Sequence, residues 1–224
     1  MVLIAVGIVG CYLWLLLLPI VVWKKMQVSS SEGYRRKISV IVPFRNEEAN
    51  LTRLVESLKA QTHSSFEVLF VNDHSTDDSL NVLRQLVKKD IPFSFSIISL
   101  EGTLGKKAAI TTGIAQASGE IIVTADADCW FSENWLTAMT SGFSNPQTQM
   151  ITGPVVLEGA SFFQKLQRVE FGAILASSAA LIGLDKPTMA NGANLAYRKS
   201  VFDEVEGFSG IEQTPSGDDE LLMM

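Results

Sequence analysis

The chain has 224 residues, 47% of them hydrophobic, a formal net charge of −6 and two cysteines. That is enough chain to bury one good core of one or two domains. The acidic balance, with no long basic stripe, argues against a nucleic-acid partner, and two isolated cysteines, Cys11 and Cys129, exclude a disulfide framework.

Residues 2–23 carry no charge. At about 1.5 Å per residue such a helix crosses a hydrocarbon core of roughly 30 Å, so the segment is expected to be a membrane anchor. A cleaved signal peptide fits less well, because no basic segment precedes the run and no small-residue cleavage site follows it. Lys24, Lys25, Arg35, Arg36 and Lys37 come next, and the positive-inside rule then places the rest of the chain on the cytoplasmic side of the cell membrane. Residues 24–37 read as a basic juxtamembrane linker.

From residue 38 the pattern alternates. The run 38–42 predicts a strand stopped by Pro43, and Leu51, Leu54, Val55 and Leu58 recur at helical spacing. A second strand is predicted over 66–71, with Ser75 and Asp78 as a capping box before a helix marked by Leu80, Leu83 and Leu86. A third strand is expected within 93–100. The small residues from Ala108 to Ala117 predict a helix packed closely on the sheet, ended by Ser118-Gly119, and residues 120–125 give a fourth strand. Strands alternating with helices imply an α/β fold with a mostly parallel sheet.

In such a sheet the carboxyl ends of the strands share one rim, where ligands gather. The first strand delivers Pro43-Phe44-Arg45-Asn46-Glu47-Glu48, the second Asn72-Asp73-His74-Ser75, and the fourth Asp126-Ala127-Asp128. Two carboxylates one residue apart suit a hard divalent cation, Mg2+ or Mn2+, shared with substrate phosphates. Each segment alone reads equally well as a turn or a helix start. Cys129 reads as a small buried hydrophobe. Residues 162–184 are apolar and helix-like, and Ser177 and Ser178 interrupt the stretch from Phe171 to Leu184. It is too short to span a bilayer, and a core helix is favoured over a membrane-surface helix.

The ordered set from Val40 to Glu48, Asn72 to Ser79, Gly105-Lys106-Lys107-Ala108-Ala109 and Asp126-Ala127-Asp128 resembles the family-two inverting glycosyltransferases. The resemblance covers the chain from about residue 38 onward. It implies a GT-A fold, Rossmann-like, over 38–224, with a nucleotide-binding part at about 38–128 and an acceptor and sugar part at about 129–224. It also implies a divalent metal and a nucleotide-sugar donor, with UDP-sugar favoured.

By position, the resemblance puts Pro43 at the turn that cradles the nucleoside and Glu47 near the ribose. Asp73 falls at the acceptor for the uracil edge, Lys106 at the diphosphate, Asp126 at the ribose or donor sugar, and Asp128 at the metal. Lys107 could serve in place of Lys106. Gly217-Asp218-Asp219-Glu220 resembles the family's Glu-Asp element and assigns the base to Asp219, although the same residues read as an acidic helix start. Asn191 and Asn194 are candidates for sugar contact or for turn formation. His74 stands where the family often has Gly, Thr111 where Asn is common, and the chain reads as C-terminally incomplete.

The expected function is transfer of a hexosyl unit to a hydroxyl of a polysaccharide or lipid-linked acceptor. The alternatives are a polyprenyl-phosphate sugar transferase, which needs no base, and a catalytically silent nucleotide-binding domain.

Overall fold

The computed structural model describes residues 36–210 except Lys89 and Thr103. The expected anchor at 2–23 and the expected base Asp219 lie outside the described residues. Among the described residues no helix is long and apolar enough to cross a membrane. The chain divides into two units: Pro154–Ala190, and a larger unit that includes residues 36–153 and 191–210.

The larger unit is built on β1 (Ile38–Phe44), α1 (Leu51–Lys59), β2 (Phe66–Asn72), α2 (Ser79–Leu86), β3 (Ser94–Ser99), α3 (Lys106–Gln116) and β4 (Ile121–Ala125). It continues through α4 (Trp135–Thr140), a 3-10 turn at Ser141–Ser144 and β5 (Met150–Thr152), and resumes with β6 (Asn194–Arg198) and α6 (Lys199–Glu204). The smaller unit contains α5 (Phe162–Ile182). One six-stranded sheet has the order β3-β2-β1-β4-β6-β5. β1 to β4 pair in parallel, while β6 is antiparallel to both β4 and β5.

Both faces of the central strands are buried, which is why they read as nearly continuous apolar runs. Ile38, Val40, Val42 and Phe44 of β1 pack in one cluster with Leu51, Leu54, Val55 and Leu58 of α1 and Leu83 and Leu86 of α2. On the opposite face α3 lies very close to the sheet: a Cβ on Gly113 would come within 2.7 Å of Ile41 Cγ2. A Cβ on Gly119 would meet the Ser39 backbone nitrogen at 2.6 Å, so the turn into β4 requires a residue without a side chain.

Three local expectations are corrected. Pro43 does not stop β1, which runs on to Phe44. The amides of even-numbered residues such as Ile38 bond toward β2, and Asp73 N donates to Phe44 O. Pro43 therefore faces the β4 side, where pairing has already ended at Ile41 and a missing N–H costs nothing.

The Ser75–Asp78 capping box does not form. Ser75 Oγ accepts instead from Asn46 N, and Asp78 Oδ1 accepts from Asn81 Nδ2.

The core-helix expectation for the apolar stretch is also overturned. Its helix begins with a genuine capping box between Ser161 and Gln164, but Phe162, Phe163, Leu166, Val169 and Ile174 are exposed, and only Ser178 and Ala180 within the helix are buried.

Candidate functional site

The strand order reverses direction at β1: β2 and β3 lie to one side, β4 to the other. This is the switch point at which the ends of two neighbouring strands splay apart and leave a crevice. A cleft of about 240 Å³ opens there, lined by Pro43, Phe44, Arg45, Glu47, Asp73, Lys106, Asp126, Ala127 and Asp128. It brings together Pro43, Glu47, Asp73, Lys106, Asp126 and Asp128, all singled out from the sequence.

The β1 and β2 loops are fastened to each other. Asn46 takes a left-handed backbone (φ 57), and its Oδ1 accepts from Thr76 N (2.7 Å), Asp77 N (3.4 Å) and Thr76 Oγ1 (3.3 Å). Glu47 N donates to Ser79 Oγ at 2.7 Å, and Glu48 N to Asp77 Oδ2 at 3.3 Å. The Asp77 carboxyl is held below its ordinary value chiefly by its bond from the Ser79 hydroxyl, which outweighs the opposing cost of desolvation, with the Ser79 and Glu48 amides adding to the lowering. Glu47 Oε2 accepts from Asn50 Nδ2 at 2.6 Å, so the carboxylate sits fixed at the cleft wall.

Asp73, nearly buried, links two parts of the rim. Its Oδ1 lies 3.1 Å from His74 Nδ1, and its Oδ2 accepts from Gly105 N at 3.0 Å. His74 also has a left-handed backbone (φ 57), a conformation that glycine adopts most easily. Gly105, at φ 110, makes the turn that starts α3, so Lys106 enters the cleft from a pinned backbone. Lys106 Nζ pairs with Asp126 Oδ1 at 2.7 Å. Lys107 is buried in α3 and does not line the cleft, which singles out Lys106 of the two lysines.

On the β4 side, Ala127 is buried while Asp126 is half-buried and Asp128 exposed. Their oxygens fit a hard cation held by one or two carboxylates together with phosphate oxygens. No cluster of three or more His, Cys, Asp or Glu side chains able to hold a metal occurs among the described residues. Burial, with the adjacent Asp128 and Asp126 charges, pushes the Cys129 thiol up to about 12, and its Sγ lies 3.6 Å from Asp128 Oδ1. The thiol form is favoured there, and the side chain is half-buried rather than the fully buried hydrophobe expected from the sequence.

Asn194 and Asn191 each make a bond within the fold. Trp135 Nε1 donates to Asn194 Oδ1 at 2.9 Å in a buried bond, and Asn191 Oδ1 accepts from Ala193 N in a tight turn. Two residues of the first strand-end segment had been given no role of their own. Arg45 lines the cleft, and Asn46 holds two loops together; the signal for Asn46 was an asparagine just past a strand end, where a left-handed turn is common.

Comparison with known proteins agrees with this fold. The fold is the GT-A arrangement: the mannosyltransferase PcManGT from Pyrobaculum calidifontis, solved with GDP-Man and Mn2+, superposes with a TM-score of 0.64 at 18% identity, over 88% of this chain and 56% of that one. S. aureus TarS 1-349, solved with UDP-GlcNAc, gives 0.60 at 21% identity, over 83% and 52%. The poly-beta-1,6-N-acetyl-D-glucosamine synthase of Staphylococcus epidermidis is 27% identical over 154 residues, 68% of this chain and 37% of that enzyme. Residues 39–206 match glycosyl transferase family 2, and the chain belongs to that family. It spans between 28% and 55% of the length of the first curated relatives it matches.

Proposed function

We propose that the protein is an inverting glycosyltransferase that moves a hexosyl unit from a UDP-sugar to a hydroxyl of a glycan or lipid-linked acceptor, on the cytoplasmic face of a membrane to which residues 2–23 anchor it. The observation that carries this reading is the convergence of Glu47, Asp73, Lys106, Asp126 and Asp128 on one cleft at the switch point of the sheet. UDP-GlcNAc in TarS and GDP-Man with Mn2+ in PcManGT support a nucleotide-sugar donor and a divalent ion. The uridine preference rests on Asp73 as the acceptor for the base edge.

In this reading Pro43 and Glu47 hold the nucleoside, Lys106 faces the diphosphate, Asp126 faces the ribose or donor sugar, and Asp128 holds the metal. Asp128 would hold a divalent cation whose charge would stabilise the negative charge building on the departing diphosphate. Asp219 takes the proton from the acceptor hydroxyl, so displacement is direct and inverts the anomeric carbon.

The test is sugar transfer from labelled UDP-sugars to glycan and lipid acceptors by the full chain and by Asp219→Asn. A base of this kind contributes about 10²–10⁴-fold. Loss of that order with donor binding intact supports the hydroxyl acceptor. Full activity of Asp219→Asn toward a polyprenyl phosphate, an acceptor already ionised, would replace it with the phosphate-acceptor reading.

A further inference from the structure

The Lys106–Asp126 pair carries a consequence for how the site fills. Both partners are set by backbone that has little freedom. Lys106 follows Gly105, whose amide is held by Asp73 Oδ2, and Asp126 follows directly on β4, with buried Ala127 behind it. The ammonium therefore meets Asp126 Oδ1 at 2.7 Å, with the two side chains 34% and 36% exposed. A cation this close cancels most of the Asp126 charge, takes up one of its oxygens and repels any second cation brought to the neighbouring Asp128.

We propose that the Lys106–Asp126 ion pair is an internal lock that couples divalent metal and nucleoside diphosphate: Lys106 neutralises Asp126 until a diphosphate draws the ammonium away. Only then is the Asp126 charge uncancelled, so that it adds to the field at the Asp128 metal site while the carboxylate faces the ribose or donor sugar. The inference rests on the donor-site reading above and adds an order of events to it.

The chemistry favours this exchange. A lysine binds phosphate as a point charge on a flexible stem, so it changes partners by rotating its side chain while Gly105 and the start of α3 stay in place. Partly exposed ion pairs are weak, so a diphosphate carrying more charge than one carboxylate can displace Asp126. Because coupling between two ligands is reciprocal, the nucleotide must raise metal affinity by the same factor that the metal raises nucleotide affinity.

Metal contact with the diphosphate also couples the two ligands, so the diagnostic quantity is metal affinity without nucleotide. Mn2+ alone is titrated into the 224-residue chain and free Mn2+ is followed by electron paramagnetic resonance, with thermal melting of each variant to confirm folding. Lys106→Met is expected to bind Mn2+ alone about fivefold to tenfold more tightly than the wild type, at the low end of ordinary coupling factors, and to gain less from added UDP.

Arg45→Met is the control. It removes the same charge from the same cleft, but Arg45 is not the ion-pair partner of Asp126, and it is expected to change Mn2+ affinity much less. Equal tightening in both variants, or none in Lys106→Met, overturns the lock while leaving the donor site intact. Failure of the wild type to bind UDP even with Mn2+ overturns the donor-site reading and the lock with it.

Discussion

Glu67 shows how much one side chain can hold. Its Oε1 accepts from Ser39 Oγ at 2.6 Å, Ser118 N at 2.7 Å and Ser118 Oγ at 2.8 Å, and its Oε2 pairs with Lys37 Nζ at 3.0 Å. Burial alone would raise its pKa, but these bonds overcome it and hold the carboxyl at about 2, against an ordinary 4.5. A depressed folded value means that the stabilisation is fully present above pH 4.5 and is lost as pH falls toward 2. Melting temperature should therefore drop through that acid window in the wild type. Glu67→Gln should start lower at pH 7 and follow a flatter curve. Parallel curves for the two proteins in calorimetry across this range would show that Glu67 does not carry the acid sensitivity.

At the level of elements, the site depends on two loops that hold each other. Asn46 supplies three acceptor contacts to residues 76 and 77 and does so from a left-handed backbone, so two effects can be separated by mutation. Asn46→Gly loses the bonds but relieves the backbone; Asn46→Ala loses the bonds and keeps the strain. With about 1 kcal/mol per net hydrogen bond, and roughly 1–2 kcal/mol for a non-glycine residue in this region, both variants should be destabilised, the alanine more. Urea denaturation measures the difference; equal losses would mean that the backbone conformation carries no cost.

The same elements show where sequence was informative. Strands β1, β2 and β4 were legible because burial on both faces writes unbroken apolar runs, and α1 because Leu51, Leu54, Val55 and Leu58 mark one face. Strands β5 and β6 were not read: one has three residues, and β6 is antiparallel in a sheet whose pattern predicts parallel neighbours. Ser75 misled because a long-range partner, Asn46, outcompeted the local cap. The apolar helix misled because periodicity records hydrophobicity and says nothing of what covers it.

For the whole molecule, the strand-end polar residues were the strongest signal, since topology alone brings them to one rim. The cleft collects them from β1, β2, β4 and the start of α3, segments spread over some 85 residues of sequence, which the short motifs mark one at a time and only the fold assembles. Arg45 was read only as one member of its strand-end run because nothing in its local sequence distinguishes a cleft residue from a solvated loop arginine. The central claim, that this cleft is a metal-dependent nucleotide site, is tested most directly by calorimetric titration of UDP into the full chain in detergent. The titration is run with Mn2+, with chelator, and in Asp128→Ala. The account predicts binding with Mn2+ that weakens at least tenfold under chelator or in the variant, a difference of about 1.4 kcal/mol or more. Folded protein that binds no UDP with Mn2+ present, or binds it equally well in all three conditions, would contradict the claim.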